Sequence, residues 1–131
     1  MNTQNPKTVI VEYNGQELPF LNNLTATRNL CNDVGITSLS GIEDALAAAR
    51  NNPDEMSSLE LLAKNFYYAF KEGHRVEGKG FTMQLDDMLD VELTQAITAA
   101  IHKKFGDTKY ASTEEQNTNK QTDPNEQTQP S

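Results

Sequence analysis

Apolar residues recur at regular intervals from Lys7 to Phe105 and nearly vanish from Asp107 to Ser131. That break confines any hydrophobic core to the first part of a 131-residue chain, enough for one domain and too little for two comfortable ones. The last stretch is Gln, Asn, Thr, Pro, Glu and Ser without periodicity, and it cannot bury enough apolar surface to offset the entropy of ordering it. The organisation that follows is a flexible N-terminus over residues 1–6, a single domain over 7–106 and a disordered polar tail over 107–131. Averaging over these parts explains a hydrophobic fraction of only 36%. No internal repeat is visible.

Within the domain the first element is the most sharply written. Thr8-Val-Ile-Val-Glu-Tyr13 is a β-branched run that suits a strand. Asn14-Gly15 then supplies the dipeptide that best accommodates the positive φ angles of a type I′ turn, and Gln16 to Leu21 returns as a second strand. Pro19 donates no ladder hydrogen bond, so that strand lies at an edge or ends early.

Everything after the hairpin has helical spacing. Thr27, Leu30, Cys31 and Val34 share one face of a first helix that Gly35 ends. Ser40-Gly-Ile-Glu43 has the form of a capping box, followed by a stripe of Ile42, Ala45, Leu46 and Ala49. Asn52-Pro53 stops that helix and starts the next, with Pro53 at its first position. Met56, Leu59, Leu62, Ala63, Phe66 and Phe70 form the long apolar face of a third helix, widened by Leu61, Tyr67 and Tyr68 and capped by Gly73. After a turn at Glu77-Gly-Lys-Gly80, Thr82 caps a short helix containing Leu85, Met88 and Leu89. Asp90 caps the last helix, in which Leu93, Ile97, Ala100, Ile101 and Phe105 repeat and Lys103 and Lys104 meet the negative end of the dipole. The predicted fold is mainly α, an N-terminal β-hairpin followed by a bundle of about four or five helices.

Charge and cysteine usage narrow the function classes. The formal charge is −8, of which −3 belongs to the tail through Asp107, Glu114, Glu115, Asp123 and Glu126 set against Lys109 and Lys120. An acidic body repels phosphate backbones, which argues against nucleic-acid binding. Cys31 is the single cysteine, so a reducing compartment is the natural reading. Met1 to Pro6 is polar, with no apolar stretch behind it long enough for a signal peptide, and no apolar run approaches the length of a membrane span. The expectation is a soluble protein that stays inside the cell making it.

A search for chemistry finds little. His74 and His102 have no partner at a metal-ligand spacing, and each reads as a surface or helix-end histidine. Cys31 beside Leu30 reads as a buried, inert thiol. Asp86, Asp87, Asp90 and Glu92 have apolar residues between them and no turn glycine, so they read as helix capping and solvated surface rather than a calcium loop. Gly78-Lys79-Gly80 lacks the spacing of a phosphate loop. Arg50, Lys64, Lys71 and Arg75, scattered among acids, describe an exposed helical face. No catalytic, cofactor or metal residue is predicted, and no cofactor. The feature less easily dismissed is aromatic: Phe66, Tyr67, Tyr68, Phe70 and Phe81 cover more than one helix face. They either fill the core against the hairpin or remain exposed as a partner-binding surface, and a division between the two roles is expected.

The order of these parts resembles a known family. A hairpin (Val9-Ile-Val-Glu-Tyr-Asn-Gly-Gln-Glu-Leu-Pro-Phe20) is followed by a helix, and a long helix ends in aromatics (Leu59-Glu-Leu-Leu-Ala-Lys-Asn-Phe-Tyr-Tyr-Ala-Phe-Lys-Glu-Gly73). The segment Thr82 to Asp90, of pattern Thr-x-x-Leu-Asp-Asp-x-Leu-Asp, then precedes a closing amphipathic helix. This layout, over roughly residues 7 to 105, is similar to that of the tail assembly chaperones of long-tailed bacteriophages of Gram-positive hosts. The resemblance implies a non-enzymatic protein of the host-cell cytoplasm that binds tape-measure and tail-tube proteins during assembly and keeps them soluble. It also implies that a longer, frameshifted form can exist, and a polar, flexible C-terminus fits either a short form or a linker to a further domain. Two other classes compete: an acidic inhibitor that mimics nucleic acid, or an adaptor, binding a basic partner enzyme, and a small enzyme with convergent polar groups in a pocket. Self-association is left open.

Overall fold

A hairpin, four helices and one 3₁₀ turn follow one another in the computed structural model, which describes residues 7–106. The flexible N-terminus and disordered tail expected from the sequence lie outside the described residues. The fold is mainly helical, as the periodicity predicts.

Strands β1 (Val9–Tyr13) and β2 (Gln16–Phe20) pair antiparallel, with Val9 opposite Phe20, Val11 opposite Leu18 and Tyr13 opposite Gln16. Asn14 and Gly15 both have positive φ, 52° and 75°, which is the type I′ geometry that matches the twist of the strands. Val9, Val11, Leu18 and Phe20 are buried on one face. Pro19 is buried too, so β2 is covered on both sides.

Helix α1 (Leu24–Val34) starts on Asn23, whose Oδ1 accepts the Ala26 N–H at 2.9 Å, and ends on Gly35. Its buried residues are Ala26 and Leu30. Cys31 is only half-buried, because it sits at the flank of that face rather than its centre. Helix α2 (Leu39–Asn51) begins two residues earlier than the Ser40–Glu43 capping box predicts. Ser38 caps it, Oγ accepting the Gly41 N–H at 3.0 Å, and Ser40 becomes an ordinary helical residue.

Helix α3 (Met56–Glu77) is the hub against which β2, α1, α2 and the 3₁₀ turn pack. Pro53 is not its first residue. The Glu55 N–H reaches the Asn52 carbonyl at 3.2 Å, which places Pro53 at the second position of a β-turn, where its fixed φ is equally suited. Gly73 is not its cap either. The helix runs on to Glu77 and stops at Gly78, whose φ of 72° and bonds to Arg75 and His74 carbonyls close it. A Cβ at Gly73 would lie 2.4 Å from the Pro19 carbonyl oxygen, so this glycine lets the strand backbone approach the helix. The Leu21 N–H then donates to the Ala69 carbonyl at 3.0 Å.

The 3₁₀ turn, Leu85–Leu89, is led by Gln84 rather than by Thr82. The Asp87 carboxylate accepts the Gln84 N–H at 2.8 Å. Helix α4 (Val91–Phe105) begins at Asp90, as expected, with Oδ1 accepting the Glu92 N–H at 2.9 Å. Two of the four acids of the cluster, Asp87 and Asp90, are thus spent on capping.

By their internal contacts the described residues form two units that part within α4, between Ile97 and Thr98. Burial along α4 shows why: Leu93 and Ile97 are fully buried, while Ala100, Ile101 and Phe105 are only half-buried. In the second unit the described residues are the end of this helix, with exposed His102, Lys103 and Lys104 in its last turn.

Candidate functional site

The five aromatic residues singled out from the sequence do not form one patch. Phe70 is fully buried, edge-on to Phe20 with centroids 5.0 Å apart. It belongs to the core and offers a partner nothing. Phe66 is half-buried and tilted against Phe20 at 6.2 Å. On another side of α3, Tyr67 meets Phe81 at 5.3 Å and Phe81 meets His74 at 5.1 Å. Tyr68 lies edge-on to Tyr67 at 5.2 Å.

The Tyr68 hydroxyl donates to Asp33 at 2.6 Å, and Lys64 reaches the same carboxylate at 3.0 Å. Burial, reinforced by this acceptor, pushes the phenol up to about 12, and the two donors hold Asp33 below the usual carboxylate range. These side chains tie α3 to α1.

The exposed apolar surface is elsewhere. Six large apolar side chains among the described residues are exposed: Leu24, Leu39, Met56, Leu59, Leu89 and Val91. The last four line one groove of about 780 Å³, with Met56 76% and Val91 68% exposed. One wall is the N-terminal half of α3, and the other is the 3₁₀ turn with the start of α4. Leu62 and Phe66 form part of the lining, with Met88 buried beside them. Arg50, Glu60 and Asp86 are the charged residues on its border. Apolar groups gather here because three of them stand at element ends: Met56 opens α3, Leu89 closes the 3₁₀ turn and Val91 opens α4. An element end has fewer neighbours to cover it than an element middle.

No known protein family, curated protein or solved structure matches this chain. The functional reading therefore rests on the geometry and on the layout of the sequence.

A second, smaller depression of about 570 Å³ is lined by Leu24, Ile36 and Leu39 together with Arg28, Thr27 and Cys31. The half-buried thiol thus borders a surface hollow instead of lying sealed in the core.

Two buried polar side chains were not legible as such in the sequence. Glu72 is 2% exposed and His74 5%. Glu72 accepts from Asn23 Nδ2 at 3.0 Å and from Arg75 Nε and Nη2 at 2.8 and 2.7 Å. The Arg75 guanidinium holds this carboxyl below the ordinary glutamate range, so it is ionised at neutral pH. The same Asn23 caps α1, so one buried carboxylate ties the α1 cap to α3. His74, expected at the surface, is buried with Nδ1 2.7 Å from the Phe70 carbonyl, a spacing satisfied when Nδ1 donates. The Phe81 ring lies against it, with centroids 5.1 Å apart. Tyr13 donates to Asp90, linking the hairpin to the α4 cap.

Among the described residues, no group of three or more His, Cys, Asp or Glu side chains is placed to hold a metal ion. No described helix is long and apolar enough to cross a membrane.

Proposed function

We propose that this chain is a non-enzymatic tail assembly chaperone of a long-tailed bacteriophage, working in the host cytoplasm, and that the groove beside α3 receives its client. The observation that carries this reading is the concentration of four of six exposed large apolar side chains in a single groove on an otherwise polar, acidic protein. A protein that holds apolar segments reversibly needs such a surface, and methionine suits it because its flexible thioether adapts to differing shapes. Met56 and Met88, two of the four methionines, line the groove. The clients named by the layout resemblance are tape-measure and tail-tube proteins.

The reading as a nucleic-acid mimic needs acids arrayed freely along one face. Four of the acids, Asp33, Glu72, Asp87 and Asp90, are engaged by partners within the chain, which thins such an array.

Co-expression with the proteins encoded beside this gene, followed by purification and mass spectrometry, tests the proposal. A long helical tail protein or a tail-tube subunit should be recovered with the wild-type chain and lost with Met56→Ser/Leu89→Ser. Recovery of a basic nuclease alone, or a tail protein retained undiminished by the groove variant, would overturn it. Phe70→Ser is unsuitable for this purpose because it removes a fully buried core ring, at an expected cost of about 3–5 kcal/mol of stability.

A further inference from the structure

Resting on the reading of the groove as a client site, we infer that its occupant is an amphipathic helix of another protein, about three turns long, with basic residues flanking its apolar face. Length comes first. The α3 wall of the groove runs from Met56 to Phe66, eleven residues, or roughly 15 Å of helix axis at the usual rise. That span accepts side chains spaced i, i+3 or i+4, and i+7 on a facing helix.

The conformation of the occupant follows from the walls. Both are built from α-helix and 3₁₀ turn, whose backbone groups beyond the first turn of each helix are engaged within those elements. An extended peptide would find no strand edge there to complete its hydrogen bonds, and its own N–H and C=O groups would be desolvated without partners against Met56, Leu59, Leu62, Met88, Leu89 and Val91. A helix brings those bonds with it.

Charge chooses the flanks and the source. Glu60 and Asp86 border the groove, and exposed Glu55, Asp87 and Glu92 adjoin lining residues in the sequence, against Arg50 as the basic residue of the lining. Lysine or arginine at both ends of the apolar stretch complements this border. The chain's own residues 107–131 do not: they carry five acids against two lysines and, apart from Tyr110, no large apolar residue. A second copy, at −8, would bring acid against acid.

Three labelled peptides of about 20 residues, long enough to form helix on a surface, test the inference against the full chain by fluorescence anisotropy. The first carries a leucine stripe at helical spacing with lysine flanks. The second keeps the stripe with glutamate flanks, and the third is the first with two central prolines. The lysine peptide should bind and gain helical circular dichroism, while each of the others should bind at least about tenfold more weakly at low salt. Glu60→Lys/Asp86→Lys, checked for an unchanged fold by circular dichroism, should reverse the preference between the two charged peptides. Equal binding of the proline peptide would overturn the helix, and equal binding of the glutamate peptide would overturn the basic flanks. A homodimer dissociated by Leu89→Ser would place a second copy in the groove and overturn the inference as a whole. Its failure is separable from that of the chaperone reading. Capture of a tail protein without binding of the lysine peptide rejects the basic helix alone, whereas peptide binding with no tail protein captured rejects the chaperone alone.

Discussion

The two halves of α3 are one continuous helix with opposite surface designs. Its C-terminal half presents small residues, Ala69 and Gly73, so that the β2 backbone lies against it, and it encloses Phe70, Glu72 and His74. Every buried polar atom described there has a partner: Glu72 has Asn23 and Arg75, and His74 has the Phe70 carbonyl. The N-terminal half presents Met56 and Leu59 to an open groove, where they are 76% and 39% exposed. Tight packing with satisfied polar groups makes a unique structure, and loose packing of adaptable side chains makes a surface that can accept something else. Large apolar residues are therefore not the mark of the rigid end here. The smallest residue of the helix, Gly73, marks it.

The sharpest way to break this contrast is Gly73→Ala. The added methyl meets backbone atoms of Pro19 and Phe20 at 2.4 to 2.7 Å, which cannot rotate aside as a side chain would. A loss of about 3 kcal/mol is expected in urea unfolding, and wild-type stability would show that the strand has room to retreat.

Glu72→Ala comes next, at about 2–3 kcal/mol, because it strands the Asn23 amide and empties a buried site. Arg75→Ala should cost less, since its side chain is 65% exposed. The same group sets a pH dependence. Its folded pKa is lowered from an ordinary value of 4.5, so its contribution is complete above that value and is lost as pH falls through the folded pKa. Asp33, lowered from 3.8, acts in the same direction. The Tm should stay level from neutral pH down to about 5 and fall below it, with a smaller fall in Glu72→Gln.

In the open half, Met56→Ser and Leu89→Ser should change stability by no more than about 0.5–1 kcal/mol, since these side chains are 76% and 56% exposed. Client binding should nonetheless fall by at least about tenfold in the same proteins. A stability loss matching that of Gly73→Ala would mean that the groove is core in solution.

The smallest effect is expected at Tyr68→Phe, on the flank of the helix between the halves. Removing the hydroxyl takes one of two donors from Asp33, and a cost below about 1 kcal/mol follows for a partly exposed hydrogen bond. The Asp33 carboxyl should move back toward 3.8 in an NMR titration, and no movement would show that Lys64 alone sets it.

Much of the fold was legible where the signal is local. Asn14-Gly15 specifies its turn through φ alone, the helical stripes repeat within a few turns, and Gly35 and Asp90 act on the helix ends beside them. Local signals misled where two residues offered the same service a short distance apart. Ser38 and Ser40 can both cap α2, and Gly73 and Gly78 can both end α3. Which one does so depends on packing: the strand claims Gly73 and leaves Gly78 to stop the helix. The candidate site was harder still. The aromatic cluster drew attention because large rings are conspicuous in a sequence, yet the structure spreads them around α3 and buries Phe70. Met56 and Leu59 sat on the predicted apolar face, and periodicity says which residues share a face without saying what covers it.

By itself the sequence determined the hairpin and its register, the mainly helical class, the order of the helices and the place where apolar residues cease. These follow from backbone preferences and from spacing along the chain, which act between near neighbours. Only the tertiary structure decided that Glu72 and His74 are buried, that Gly73 is a contact and not a cap, and that the exposed apolar surface gathers in a groove between α3 and the start of α4. Those outcomes depend on which surfaces meet. That is set by the volume and polarity of residues far apart in the chain, here Pro19 with Gly73, Asn23 with Glu72 and Met56 with Leu89, and no local preference encodes it.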